Sequence, residues 1–279
     1  MKSARMNRIV SRTIIYIILI IMSAVMIVPF LWMLSSSVKL DREVFQMNPF
    51  KWIPDVIHWE NYTNIWKKIP FGKFIQNTVI LTVVVTVLQL LTSSFAAYAF
   101  AKLDFKYKSR LFLAYIATIA VPWQVYMVPQ FIMMRKFGLN DRLLAIVFLQ
   151  AFSAFGVFLM RQFYMGIPDS LCEAARIDGM NEYKIYARIM LPLSKPAIST
   201  LAIFTFVNTW NDYLGPLLYL KTREKKTIQL GLRMFIGQYS SEYGLIMAGS
   251  VITLIPVIIV FLCLQKYFVE GVASTGIKG

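Results

Sequence analysis

Acidic side chains are scarce in this sequence: 14 Asp and Glu stand against 29 Lys and Arg, a formal charge of +15 over 279 residues. It also has one histidine, His58, and two cysteines, Cys172 and Cys263. The cysteines fall in a polar segment and in the last apolar run, a spacing that fits neither a metal site nor a disulfide. His58 has no ligand partners around it, so no metal and no cofactor are expected. No Gly-x-x-x-x-Gly-Lys-Ser/Thr loop occurs, which excludes ATP hydrolysis by that machinery. The apolar runs hold no Ser/His, Asp/Asp or His-rich metal constellation, so an intramembrane enzyme would lack its chemistry. The basic excess alone would fit nucleic acid. Its Lys and Arg are scattered through the segments between apolar runs, however, and no nucleic-acid partner is expected.

What the chain has in abundance is hydrophobicity. Its apolar share is 58% and its mean hydropathy +0.60, against about 45–50% apolar residues in soluble domains. Six runs, near 13–34, 78–101, 111–134, 143–163, 197–220 and 245–265, approach the roughly 20 residues a helix needs to cross a bilayer. They are continuous rather than alternating, which predicts helices and not a barrel. The expected fold is therefore an all-α membrane protein with six transmembrane helices. The first run follows Lys2, Arg5, Arg8 and Arg12. It exceeds the apolar stretch of about 7–15 residues of a signal peptide, so it reads as a retained span after a tail at 1–12. An outer segment at 35–77 with Trp52, Trp59 and Trp66 follows, the tryptophans suiting the lipid headgroup level. Summed over all loops, basic charge hardly separates the two sides. The clusters beside the first two spans (the N-tail; Lys102, Lys106, Lys108 and Arg110) favour cytoplasmic N- and C-termini, the latter on a tail at 266–279.

The organising stretch is polar and lies at 168–192, between two apolar runs. Pro168 and Asp169 open it, and Ser170 with Glu173 has the spacing of a capping box. Gly179 supplies a left-handed residue to end a first short helix. Asn181 is a good N-cap for a second helix, expected to stop at Pro192. Ala174 and Ala175 predict a surface of little bulk, open to close packing by another protein.

The spans carry three further polar features. Thr82, Thr86, Gln89 and Ser93 share one helical face of the second, fit either for a wet pathway or for hydrogen bonds to neighbouring helices. Pro122 and Pro129 read as bends in the third. The fifth contains Asn208, Trp210, Asn211, Asp212 and Tyr213. Asp212 is the only acidic residue inside the six runs, roughly 22 Å along a continuous helix from Ala197. Inserting a carboxylate costs roughly 2.5–3.5 kcal/mol at a helix centre, so it is expected to face protein or water. Carboxylate, amide and aromatic groups together suit a sugar; a polar knot between helices fits the same residues.

Glu173-Ala174-Ala175, three residues, Gly179, nine residues, Ile189, one residue and Leu191-Pro192 resembles the signature loop of the membrane subunits of binding-protein-dependent ABC importers, at every named position. The resemblance covers nearly the whole chain. Glu60-Asn61-Tyr62, Phe74, Asn77, the Trp210-Asn211-Asp212-Tyr213 run and the tail from Gly271 to Gly279 are similar to the sugar-importer branch, most like the smaller permease of the maltose type. The resemblance implies a type I ABC importer permease fold in a bacterial plasma membrane. The first helix would be peripheral, and five core helices at 78–265 would pack against a second permease. The loop at 168–192 would dock into one of two ATP-binding subunits, and an extracytoplasmic solute-binding protein would deliver a sugar. On that reading the basic outer loop from Lys221 to Gly244 is expected to meet the binding protein. The competing class is a self-contained secondary carrier, which needs a proton relay or ion site; one isolated Asp212 argues against it.

Overall fold

The computed structural model describes residues 2–46, 51–237 and 241–276, with side chains described within 9–266 of these. All regular structure among them is helical, apart from one isolated bridge between Ile236 and Ser241. The chain divides into two units. Residues 277–279 of the tail, and residues 238–240 of the outer loop from Lys221 to Gly244, lie outside the described residues.

The first unit comprises residues 1–69 and 232–254. Its long helix α1 (Lys2–Ser36) has an apolar surface left open between Ile9 and Ser36, as a lipid-facing helix requires. Two short helices follow, α2 (Asp41–Val44) and α3 (Glu60–Lys68). The Asn61 amide donates to the carbonyls of Ser37 and Lys39, both at 3.0 Å. Tyr62 Oη lies 2.7 Å from Ser37 Oγ. Asn61 and Tyr62 thus close the outer segment back onto the end of α1.

The second unit, residues 70–231 and 255–279, holds the core. Helix α4 (Phe71–Lys102) starts seven residues earlier than the apolar run implies, because Pro70 sets the first turn and Phe71 and Phe74 are fully buried. The third apolar run is not one bent helix. It forms α5 (Lys108–Ala117) with a 3₁₀ turn to Ala120, then α6 (Trp123–Lys136), with a 100° change of direction. Pro122 is the cause: it holds Val121 in extended backbone (ψ 111°) and begins the next helix instead of bending one. Pro129, in contrast, stays inside α6. The fourth run is interrupted as well, into α7 (Leu143–Gln150) and α8 (Ala154–Met165). Ser153 caps α8 by accepting from the Gly156 amide at 3.0 Å. Gly156 also lets α8 lie directly on α4: a Cβ there would stand 2.4 Å from Ser93 Oγ.

After the polar segment come α9 (Asp169–Ile177), α10 (Glu182–Ile185), a π turn (Tyr186–Met190) and α11 (Leu191–Leu193). The fifth span follows as α12 (Lys195–Trp210), 78° from the helix before it, and α13 (Leu214–Tyr219). The continuous helix expected over 197–220 is thus broken at Asn211–Tyr213. Pro216 offers no amide to the carbonyl four residues back, that of Asp212, and its ring crowds that carbonyl. The last two helices are α14 (Ile228–Arg233) and α15 (Tyr243–Gly276), the latter running helical through most of the expected tail. Among the described residues four helical segments are long and apolar enough to cross a membrane, namely α1, α4, α7 and α8 taken together, and α15, and up to six spans result if each bent pair counts as one.

On one side of this core Asp141 fixes the α6–α7 connection. It sits at φ +58°. Its carboxylate accepts from the amides of Lys221 (2.8 Å) and Thr222 (3.0 Å), from the Thr222 hydroxyl and from Lys225 Nζ (2.9 Å). Asn77 holds the segment after α13 from the other end by donating to the carbonyls of Glu224 and Lys226.

Candidate functional site

The polar segment builds a helical hairpin seated on the membrane helices. Helix α9 starts at Asp169 with Pro168 as its N-cap, so Ser170 lies inside the first turn and the expected Ser170–Glu173 capping box does not form. Proline's fixed φ, here −58°, already prepares the helix and leaves no role for a side-chain cap. The helix ends in a Schellman motif. Gly179 is left-handed (φ +76°), its amide donates to Arg176 O at 3.0 Å, and the Met180 amide donates to Ala175 O at 2.9 Å. Asn181 then caps α10 by accepting from the Lys184 amide at 2.9 Å.

Pro192 does not stop this second helix. The Leu191 amide reaches five residues back to Tyr186 O, and the widened turn places Pro192 in the first turn of α11, where its missing N–H is not needed. The break comes two residues later, at Ser194.

The two alanines of the motif part company. Ala174 is exposed, whereas Ala175 is 3% exposed and packed inward, so the low-bulk docking surface expected of the pair reduces to Ala174. Ala175 belongs to a core with Tyr98 of α4, Met160 and Tyr164 of α8, Ile185 of α10 and Leu201 of α12. Fully burying such aliphatic or aromatic side chains contributes roughly 1.5–3 kcal/mol each, and this joins the hairpin to three spans. Polar ties reinforce it. Arg176 Nε donates to Glu182 Oε1 at 2.7 Å, joining α9 to α10, and the Tyr98 hydroxyl donates to the same carboxylate. Lys102 donates to Ile167 O at 2.6 Å and pairs with Asp169. The hydrogen bond from Arg176 holds the Glu182 carboxyl below its ordinary range, and that from Lys102 does the same for Asp169. Outside this seat, Glu173 and Ala174 are open, with Ile177 86% and Tyr183 75% exposed. Ile189 and Leu191 are half-buried against the core, and Pro192 is exposed.

The second polar constellation sits where the fourth and fifth spans break. Ending α7 at Gln150 frees the carbonyls of Gln150 and Ala151. Helix α4 meets them: Gln89 Nε2 donates to Gln150 O (2.8 Å) and Thr92 Oγ1 to Ala151 O (2.7 Å). Thr205 of α12 donates to Gln89 Oε1. The Gln150 side chain donates to Asp212 Oδ2 at 2.8 Å and accepts from Thr209 at 3.2 Å, while Asp212 Oδ1 accepts from the Gly215 amide at 3.1 Å. Asp212 therefore lies in non-helical backbone and ties the two broken spans together.

Two cavities flank this network, and Gln150 borders both. One, of about 260 Å³, is lined among others by Trp123, Tyr126, Gln130, Asp212 and Tyr219. The other, of about 370 Å³, is lined among others by Gln89, Ser153, Phe155, Thr205 and Asn208. Of the expected constellation, then, Asp212 and Asn208 reach cavities on different sides. Trp210 is 2% exposed and stacks on Phe206 (centroids 5.4 Å, 12° between planes), so its indole is packing and not a free plate for a ligand. Asn211 turns back to Val207 O (2.9 Å) and accepts from Gln229; Tyr213 is half-buried. In the stripe on α4 it is Gln89 that bonds. The hydroxyls of Thr82, Thr86 and Ser93 are buried without a partner among the described residues.

Sequence reading missed Gln150, the residue that joins the parts. The available signal was a single amide inside the apolar run Ile146-Val147-Phe148-Leu149-Gln150-Ala151-Phe152.

Comparison with known proteins bears on the whole arrangement. Residues 89–274 match the family model of the binding-protein-dependent transport system inner membrane component. The arabinooligosaccharides transport system permease protein AraQ of Halalkalibacterium halodurans is 35% identical over 227 residues, 81% of each chain. The protein of that name from Bacillus subtilis is 34% identical over 261 residues, 92% of each. A chain in the crystal structure of a bacterial ABC transporter involved in the import of the acidic polysaccharide alginate superposes with a TM-score of 0.81 at 28% identity, covering 96% of this chain and 98% of that one. With its interrupted spans and its helical hairpin packed on them, the chain belongs to the family of inner-membrane permease components of binding-protein-dependent transport systems.

Proposed function

We propose that the chain is one of two permeases of a bacterial importer for a carbohydrate, with both termini cytoplasmic. Its core domain, near 78–265, lines half of the translocation path. It carries no ATPase site of its own, and the hairpin at 168–192 docks into one of two ATP-binding subunits through Glu173, Ala174, Ile177 and Tyr183. Gly179, Ile189, Leu191 and Pro192 shape that hairpin, and buried Ala175 seats it. An extracytoplasmic solute-binding protein supplies the sugar, and Asn208 and Asp212 border its path. The carrying observation is that the hairpin shares one core with three spans while leaving Ile177 and Tyr183 open at its tip. A lever needs a rigid seat and a free contact face. The relatives' names, the Trp-Asn-Asp-Tyr run and the polar cavities support a carbohydrate substrate.

Two measurements on the assembled importer test this. A cysteine at Tyr183 is expected to crosslink to an ATP-binding subunit from the cytoplasmic side. Proteoliposomes are expected to take up at least one of arabinotriose, raffinose, lactose or maltotriose with ATP and the binding protein, and glycerol 3-phosphate serves as the non-sugar control. Uptake that needs no ATP, or a hairpin that labels only from outside, would overturn the reading.

A further inference from the structure

We infer that the cavity bounded by Trp123, Tyr126, Gln130, Gln150, Asp212 and Tyr219 is a subsite for one sugar ring, separate from the cavity that Asn208 borders. The inference rests on the carbohydrate reading above. Its starting point is Tyr219, which is 1% exposed, lines this cavity, and has a hydroxyl with no partner among the described residues. That hydroxyl is closed off from the void in this conformation; left unpaired it is costly, and a small turn of the ring toward the cavity lets a guest with a polar group pair with it.

The remaining wall has the chemistry of such a guest. Asp212 accepts from Gln150 on Oδ2 and from the Gly215 amide on Oδ1, and the Leu214 amide donates to the same carboxylate. A carboxylate has about four acceptor positions, which leaves about one for a hydroxyl donor. Trp123 Nε1 donates to Gln130 Oε1 at 2.8 Å; this fixes the indole and leaves the Gln130 amide free to donate. Trp123 and Tyr126 are three apart on α6, on one helical face, and bring two aromatic plates to the same cavity. Donors, acceptors and flat apolar faces together match a ring that is hydroxylated at its edge and apolar on its faces. At about 260 Å³, the space falls just below the roughly 300–1,000 Å³ of pockets that hold whole ligands, so it fits one ring of a longer chain.

The test uses the complete importer in nanodiscs, stalled with ATP and vanadate after delivery of tritiated arabinotriose, raffinose, lactose or maltotriose. The rate at which bound label leaves is the readout. Tyr219→Phe removes only the unpartnered oxygen and is expected to assemble and hydrolyse ATP as wild type while releasing sugar about threefold to tenfold faster. Trp123→Leu, which removes a plate, is expected to speed release as well, and decides alone if Tyr219→Phe does not assemble. Release unchanged in Tyr219→Phe means that the cavity holds only water. That overturns the subsite and leaves the carbohydrate reading standing. Failure of the wild-type importer to retain any of the four sugars overturns both.

Discussion

Single residues set the geometry of both constellations. Gly179 has open space where a Cβ would go, so a substitution there is opposed by backbone conformation alone, at roughly 1–2 kcal/mol for a left-handed residue. Gly179→Ala is therefore expected to leave the complex assembled but loosen the α9–α10 turn, and Gly179→Val to go further. In proteoliposomes, more ATP should be hydrolysed per sugar moved. Asp212 behaves differently because its two oxygens serve several donors at once. Asp212→Asn keeps one acceptor oxygen, whereas Asp212→Leu strands the Gly215 amide and the Gln150 side chain at roughly 1–3 kcal/mol each. The expected order of assembled yield is wild type, then Asn, then Leu, measured by size exclusion in detergent. Transport per assembled complex should fall already in Asp212→Asn. Gly179 was legible in sequence because glycine after a short helix has one common structural use. The tie from Asp212 to Gln150 was not, since Gln150 lies 62 positions earlier and only the fold brings the two together.

Among the elements, the spans' interruptions matter most. The apolar runs located the helices well, because a lipid-facing helix must be continuously apolar. They hid the breaks, because a break inside a protein core is just as apolar as a helix. Pro122 and Pro216 carried the necessary information: each leaves a carbonyl without its usual donor, and in this fold that is resolved by a break and not by a bend. The break at Ala151–Ser153 has no proline and depends on donors from α4. The α4–α8 contact offers a check on this packing. Gly156→Ala places a methyl against Ser93, whose oxygen is unpartnered. It is expected to lower the complex's thermal midpoint, and Ser93→Ala in the same chain to restore part of the loss, with a coupling on the order of 1 kcal/mol.

For the whole molecule, charge pairing at the two faces gives a pH dependence of definite sign. Glu182 and Asp169 in the hairpin are held below their ordinary range by Arg176 and Lys102. At Asp141 burial pushes the carboxyl up, but hydrogen bonds from Thr222, Lys225 and the backbone of Thr222 and Lys221 outweigh it and hold it well below the usual carboxylate range. A depressed carboxyl contributes stability that is fully present above its unfolded value of about 4, and loses it as pH falls through the lower folded value. Hydrogen exchange in residues 169–192 and 219–226, corrected for intrinsic rate, should thus be flat from pH 8 to about 5 and rise below about 4. Asp141→Ala should open the second segment already at neutral pH, read as faster trypsin cleavage after Arg223, Lys225 or Lys226.

The freed carbonyls at the end of α7 also bear on how the chain is made. Helix α7 is eight residues long, about 12 Å, and cannot cross a bilayer by itself. Met by lipid alone, the carbonyls of Gln150 and Ala151 would each cost several kcal/mol. Their donors, Gln89 and Thr92, lie some 60 residues earlier in the chain, on a helix that is unbroken and crosses without help. Synthesis from the N-terminus therefore places the donors in the membrane first. The broken span emerges beside a ready template, and its order of appearance on the ribosome is part of what makes it insertable.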